Sequence, residues 1–499
     1  MKIERIEIRD FRGFPGSYEF KLGRPGQNLL VYGENGSGKS SLFQALRRFF
    51  AASEFTDDIL AYRNEFTKSD EVEVKLDLAA YDEQGNRHPD SGIFEWNTAA
   101  SPHGQALIQE ANKTKGCLDY RSLLDIHYVH RDKARVEIFQ LLEKTILGHA
   151  ENPITKKAFG VELAEIRDMV RKDWRTWAEI LDGKNRSFNQ GFENVLGTVE
   201  QKTNLLLARF FPDTQVHLEL DGKLARSGTG RNKGLAFPKV YLAATTFGLR
   251  REDLHHFLNE ARLSAIAISI YLASLLIVPA SRLRLLVLDD LLIGIDMSNR
   301  MAVLNILREE FNGWQIILLT HDRVWYEIVR MHTLHTKSWH CSSLRSKLDA
   351  EGKPTPWWKG FGDGWNTNLD IAKRHLDDDD IRAAGVYARA AFEEKLKRFC
   401  EDHHVPVRFA SDLSALKSND FWLAVLRWIK EKGREADFAV MASEVEAIRK
   451  LVLNPLSHEH PINLVRAEIE QGIEAVRHVD EKLRALFPKK PVAEGGADA

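Results

Sequence analysis

The chain has 499 residues, 43% apolar and 28% charged, with a formal net charge of −2. That length exceeds one ordinary core and implies two or three domains. Near-neutral charge excludes a chain that coats nucleic acid through its overall field, so such a partner would need a local patch.

Three further observations point to a cytoplasmic protein with no membrane span, zinc site or disulfide framework. There is no uninterrupted apolar window of about eighteen residues. The start, Met1-Lys2-Ile3-Glu4-Arg5, carries charge where a signal peptide needs an apolar core. Cys117, Cys341 and Cys400 lie far apart and form no CxxC pair.

Along the chain, Ile6 and Ile8, then Tyr18, Phe20 and Leu22, alternate with the period of strands, and Asn28-Leu29-Leu30-Val31-Tyr32 is a short apolar run. The run ends at Gly33-Glu34-Asn35-Gly36-Ser37-Gly38-Lys39-Ser40, after which Leu42, Phe43, Leu46, Phe49 and Phe50 take helical spacing. Strand, glycine-rich loop and helix are the parts of a phosphate cradle in their working order. The glycines let backbone N–H groups turn towards phosphate, and the helix N-terminus adds its positive end. Lys39 would reach the β- and γ-phosphates, Ser40 would ligate Mg2+ and Ser41 would complete the cradle, so ATP and Mg2+ are the expected cofactors. The plainer alternative is a Gly/Ser-rich turn with a stray lysine.

Residues 70–130 read as further strands and loops of the same domain. The pattern turns helical from 132 to 212, through Val136–Leu142 and Val161–Ile166, without a lasting heptad, and suggests a compact helical insertion. Residues 222–234 read as a hairpin loop or mobile segment. From 258 to 333 come a helix, the buried strand Arg284-Leu285-Leu286-Val287-Leu288, another helix and the strand Gln315–Leu319. Asp289 follows the first strand, where a magnesium-orienting carboxylate belongs beside a P-loop, and Asp290 could position or polarise the attacking water. An N-cap pair is the alternative for both. His321, after the next strand, could hydrogen-bond a γ-phosphate or be an ordinary loop residue.

A Gly-, Pro- and Trp-rich stretch to Trp365 reads as a linker. The expected domains are therefore a head at 1–340, a linker at 341–366, a helical domain at 367–487 and a disordered tail at 488–499. The fold class is α/β for the head, with its helical insertion, followed by an all-helical C-terminal domain.

The order of P-loop, helical insertion, signature-like helix, Walker B, D-loop and switch histidine resembles the ABC-type ATPases of the SMC, RecF and OLD group. Leu258-Asn259-Glu260-Ala261-Arg262-Leu263-Ser264-Ala265-Ile266-Ala267 looks like their signature segment. Asp289-Asp290 followed by Gly294-Ile295-Asp296-Met297-Ser298-Asn299-Arg300 resembles the Walker B and D-loop of the PrrC/RloC branch, ATPases that carry an anticodon-nuclease domain. Asn259 and Ala261 stand where the family has serine and its second glycine. Asn259 can still donate to a γ-phosphate, whereas Ala261 lacks glycine's freedom. The Q-loop is sought between Tyr120 and His130, and long coiled-coil arms and a zinc hook are missing. The resemblance implies that the signature segment completes the nucleotide site of a second subunit, in a homodimer or larger even oligomer.

In the C-terminal domain, Arg389 and Glu393 stand four residues apart on one helical face. Pro455 should end or kink a helix and leave His458 at its boundary. Arginine, glutamate and histidine together suit metal-free RNA cleavage by the RNA's own 2′-OH. The Arg-x3-Glu…His pattern resembles the PrrC/RloC nuclease triad, and Asn454-Pro455-Leu456-Ser457-His458 resembles the histidine motif of HEPN-type RNase domains. A solvated ion pair and a capping histidine are the alternatives. Asp377–Asp380 should cap a helix and not bind metal, and Trp357, Trp358 and Trp365 should pack a loop against the head or stack bases.

The resemblance thus implies an ATPase of a defence or stress system that gates its own RNase, with tRNA as substrate. The alternatives are a sensor or scaffold ATPase that reads foreign DNA or a phage protein and activates a separate effector, and a RecF-like DNA-repair ATPase.

Overall fold

Ile3, Ile6 and Ile8 are buried along β1 (Lys2–Phe11), which pairs antiparallel with β2 (Phe14–Lys21) and β4 (Glu73–Ala79). The structure, a computed structural model, describes residues 1–55, 58–82, 84–119, 135–139, 142, 147–171, 178–228, 234–292, 294–333, 336, 338–349, 351–360, 364–377, 380–408, 416, 418–448 and 466–488. The chain divides into two units, Met1–Gly360 and Phe361–Ala499.

In the first unit, β5 (Gly92–Trp96) completes the antiparallel sheet, in the order β2-β1-β4-β5. A six-stranded sheet holds β3 (Asn28–Gly33), β6 (Gly116–Asp119), β13 (Leu285–Asp289), β14 (Gln315–Thr320), β15 (Trp339–Leu348) and β16 (Pro354–Gly360). Its order is β16-β15-β3-β14-β13-β6, parallel except for β16. β13 and β14 are buried along their whole length, which explains their unbroken apolar runs.

Helix α1 (Lys39–Ala51) shares one core with both sheets. Its Leu42, Phe43, Leu46, Phe49 and Phe50 pack with Ile3, Ile6 and Phe20 of one sheet and Val31, Val287 and Ile317 of the other. Gln315 stitches the two sheets together. Its amide donates to the carbonyls of Ile3 (2.8 Å) and Gln27 (2.9 Å) and accepts from the Ile3 N–H at 2.7 Å.

Helix α2 (Ala106–Thr114) precedes β6; α3 (Phe159–Arg171) and the thirty-residue α4 (Ala178–Leu207) build the inserted lobe. A smaller sheet joins β7 (Val136–Glu137), β8 (Thr214–Asp221), β11 (Lys239–Thr246) and β12 (Leu249–Arg251), beside the hairpin β9 (Ala225–Ser227) and β10 (Gly234–Ala236). Helix α5 (Glu260–Ile277) precedes β13, α6 (Met297–Glu309) links β13 to β14, and α7 (Arg323–Thr333) follows.

Among the described residues α5 alone is long and apolar enough to cross a membrane by length and composition, with mean hydropathy 1.6 over 18 residues. It is buried on nearly every side and packs on α4, as a core helix with no single apolar stripe does.

The second unit holds α8 (Gly364–Asp377), α9 (Ile381–Asp402), α10 (Ser418–Glu431), α11 (Glu435–Ile448) and α12 (Arg466–Leu486). Ala388, Phe392 and Leu396 of α9 meet Trp422 of α10 and Ile473 and Val476 of α12 in one core.

The structure corrects several expectations. Within the expected linker, β15 and β16 extend the central sheet to Gly360 and move the unit boundary there. The sheet absorbs Ser342 and Ser343 as buried strand residues, and their polarity hid the strand. Trp358 packs on Phe20 with ring centroids 4.5 Å apart, which fits packing of this segment against the head. Val136 and Glu137, read as helix, pair with Leu242 and Tyr241 as a short strand. The stretch read as strands and loops contains α2. His458, Tyr120–His130 and residues 489–499 lie outside the described residues.

Candidate functional site

Parallel register decides which residues share the carboxyl edge of the central sheet. Asp289 pairs with Leu319 and Thr320 with Tyr32, so Gly33, Asp290 and His321 leave their strands at one level. The loop Gly33–Gly38 opens there and runs into α1. Gly38, at the N-cap of α1, has φ of 105°, a conformation that side chains rarely adopt, so glycine is required at that turn. Glu34, Asn35, Gly36 and Ser40 are exposed, and Ser37 and Lys39 are buried.

Lys39 is only 4% exposed. Its ammonium donates to the carbonyls of Gly33 (2.6 Å) and Glu34 (3.1 Å) and lies 3.7 Å from Asp290 Oδ2. The other oxygen, Asp290 Oδ1, accepts from the His321 N–H at 2.7 Å and meets His321 Nδ1 at 2.7 Å. Asp290 has φ of 49°, a left-handed conformation that costs a non-glycine residue on the order of 1 kcal/mol. Strain at a residue contacting both Lys39 and His321 is the kind of local cost that clusters at working sites.

Asp289 is 5% exposed and Oδ1 has no hydrogen-bond partner. Burial pushes its carboxyl up to about 6; Asp290 and Asp119 add to this, and the Ser40 hydroxyl and Lys39 oppose it. Ser37 Oγ is likewise buried without a partner. These features fit a magnesium nucleotide: two orphaned polar atoms, a buried lysine and an exposed hydroxyl stand where phosphate oxygens and a cation would answer them. Gly33–Ser40 would hold the phosphates, and Ser40 with Asp289 the Mg2+. Ser41 has a different contact, since its hydroxyl accepts from Gly13 N–H at 3.1 Å and ties the loop to the β1–β2 turn.

Asn259 is exposed, and its side chain accepts from Arg262 N–H at 3.0 Å, capping α5. Arg262 anchors that helix end with a two-pronged pair to Asp213 (3.0 and 2.8 Å) beneath the rings of Phe211 and Phe247. Asp296 caps α6 through Asn299 N–H at 3.0 Å.

In the second unit, Arg389 and Glu393 are half-buried on one face of α9, and Glu393 pairs with Lys397 at 2.8 Å. Asp380 caps α9 by accepting from Ala383 N–H, as expected of the acidic run. Among the described residues no group of three or more His, Cys, Asp or Glu side chains is placed to hold a metal ion.

Sequence reading missed Asp119, which pairs in register with Asp289 and adds negative charge to it. Its strand, Gly116-Cys117-Leu118-Asp119, is too short to show a period. Arg300, in the D-loop-like segment, and Asp322, the residue after His321, form an ion pair at this edge.

The family model described as the RecF/RecN/SMC N terminal domain matches residues 2–338. Similar solved structures include an SMC head domain from Thermotoga maritima, 13% identical over 72% of this chain and 98% of that one, with a TM-score of 0.36. An Smc head domain with an extended coiled coil, bound to the C-terminal domain of ScpA and derived from Pyrococcus furiosus, is 14% identical over 76% and 99%, with a TM-score of 0.41. An SmcHead bound to the C-winged helix domain of ScpA is 13% identical over 72% and 99%, with a TM-score of 0.38. No curated protein matches the chain. With the family match spanning more than half of its length, the chain belongs to the RecF/RecN/SMC N-terminal domain family and is an SMC-like, ABC-type ATPase.

Proposed function

We propose that the head is a nucleotide-operated switch in which two copies close on Mg-ATP, hydrolysis parts them, and the helical unit carries the output. One observation carries this reading. Lys39, Asp290 and His321, from three distant parts of the chain, meet beside the unpartnered Ser37 Oγ and Asp289 Oδ1.

Mg2+ held there would offset the charge that builds on a transferred phosphoryl group. Lys39 would hold the phosphates, Asp290 would orient the attacking water and take up its proton, and His321 would fix the Asp290 carboxylate and reach the γ-phosphate. Asn259 of a second copy would donate across the interface. Phosphate release and light scattering with and without ATP test both halves. Lys39-independent turnover, or an unchanged monomer for Asp290→Ala with ATP, would refute them.

The output we propose is RNA cleavage by the helical unit, in a cytoplasmic defence or stress system with tRNA as substrate. It is supported by the PrrC/RloC resemblance and by Arg389 and Glu393 sharing one half-buried face of α9; His458 is their proposed third member. The Lys397–Glu393 contact favours a second reading, because it already answers that carboxylate. There the helical unit docks a separate effector or a trigger such as a phage protein or foreign DNA. Cleavage of tRNA that persists when EDTA is added after activation with Mg-ATP, and is lost in Glu393→Gln with ATP hydrolysis in Mg2+ intact, separates the two. DNA-stimulated hydrolysis without any cleavage would favour the RecF-like repair role.

A further inference from the structure

Two oxygens of one carboxylate link two loops at the catalytic edge. Asp322 Oδ1 accepts from Trp325 N–H at 3.0 Å and caps α7, while Oδ2 pairs with the Arg300 guanidinium. Arg300, on α6, also donates through Nε to the Ile295 carbonyl at 3.0 Å. Arg300 therefore grips the D-loop backbone with one nitrogen and the residue after His321 with another. Its side chain is 15% exposed, so the fork is shielded from most of the screening that weakens surface pairs.

The D-loop is also held from its other side. Gly294 has φ of +89°, and a Cβ there would come within 2.9 Å of Glu260 Oε1 and 3.1 Å of Ser264 Oγ, so the loop lies against the first turns of α5. Ile295, next to it, is buried. A continuous path of contacts thus runs from α5 through the D-loop, Arg300 and Asp322 to the peptide carrying His321, and on to Asp290 and Lys39.

We infer that Arg300 and Asp322 are a positioning pair, which makes the D-loop and the His321 loop move as one body, so that the packing of α5 sets where His321 and Asp290 stand for ATP hydrolysis. The inference rests on the ATPase reading of this edge. Neither residue touches the nucleotide; both act through His321.

The test is steady-state ATP hydrolysis by the full chain, comparing wild type, Lys39→Ala, Asp322→Asn, Arg300→Gln, Arg300→Lys and the Asp322→Asn/Arg300→Gln double variant. Asparagine caps a helix as well as aspartate, so Asp322→Asn keeps the cap of α7 and removes the charged acceptor oxygen that Arg300 meets. Each neutral variant is expected to lower kcat on the order of tenfold with KM for ATP within about twofold, because geometry is lost and not binding. The double variant should lose no more than the worse single one, since both remove the same contact. Arg300→Lys should recover part of the rate, keeping charge but not the fork. Wild-type kcat in both single variants, or losses that multiply in the double one, overturns the inference while Lys39-dependent turnover stands. Absence of Lys39-dependent turnover in the wild type overturns the ATPase reading and the inference with it.

Discussion

The carboxyl edge of the six-stranded sheet and the half-buried Arg389–Glu393 face of α9 both carry charged residues, but they arrange them differently. At the sheet edge, residues 39, 289, 290 and 321 converge from three segments, and two buried oxygens have no protein partner. On α9, Glu393 is answered by Lys397 one turn along the same helix. Nearby, the buried Lys395 has its ammonium drawn down to about 8 by burial and is met by Asp480 at 3.4 Å. Pairs of this kind are what a helical core and its surface require for their own stability. Convergence that leaves polar atoms orphaned and holds Asp290 in a left-handed conformation adds nothing to folding, and so points to a ligand.

The largest expected effect tests the sheet edge. Lys39→Ala should lower the rate of Mg-ATP turnover on the order of a thousandfold, read by phosphate release, because the buried cation that would answer the phosphates is gone. Retained turnover would reduce the edge to the same kind of structural pairing as α9. Next comes the fold that holds the edge in place. Gln315→Ala strips partners from Ile3 N–H and two carbonyls between the sheets and should cost about 2–4 kcal/mol in urea unfolding of the head. A loss below about 0.5 kcal/mol would show that the stitch is dispensable.

Asp289 gives the pH dependence. Burial raises its carboxyl from the ordinary 3.8 to about 6, so the folded chain holds that proton more tightly than the unfolded one. Its contribution to stability is complete below 3.8 and is lost as pH rises through about 6. Cation binding needs the ionised form and runs the opposite way. Affinity for Mg-ATP should fall below pH 6, by up to about tenfold per unit, and Asp289→Asn should abolish that slope in titration calorimetry. The smallest effect belongs to α9. Glu393→Ala should change the stability of the helical unit by less than about 0.5 kcal/mol, as an i,i+4 helix pair whose lysine reaches solvent predicts. A much larger loss in thermal unfolding would mean that Glu393 does more than pair with Lys397.

Much of the sheet edge was legible because its signals are local. Gly33–Ser40 sits between an apolar run and a helix, while Asp289 ends and His321 follows a fully buried strand, where sequence period and flanking chemistry coincide. What stayed hidden depends on pairing between distant segments. β15 reads as polar because Ser342 and Ser343 are buried by neighbours that the sequence does not reveal. Asp119 matters only through its register with Asp289, and Ser41 turns from the cradle to Gly13 because the β1–β2 turn comes close. Arg300 stands in the D-loop-like segment and Asp322 directly after His321, but the ion pair between them exists only once β13 and β14 lie side by side.

Lys39, Asp289, Asp290 and His321 are proposed to form one ATP-hydrolysing site. Single-turnover hydrolysis with retention of bound nucleotide tests it most directly, comparing wild type with Asp290→Ala. Asp290→Ala should bind Mg-ATP within a few-fold of wild type yet release phosphate at least about a hundredfold more slowly, so that the nucleotide recovered from it is ATP. Phosphate release at the wild-type rate, with ADP recovered from both proteins, would contradict it.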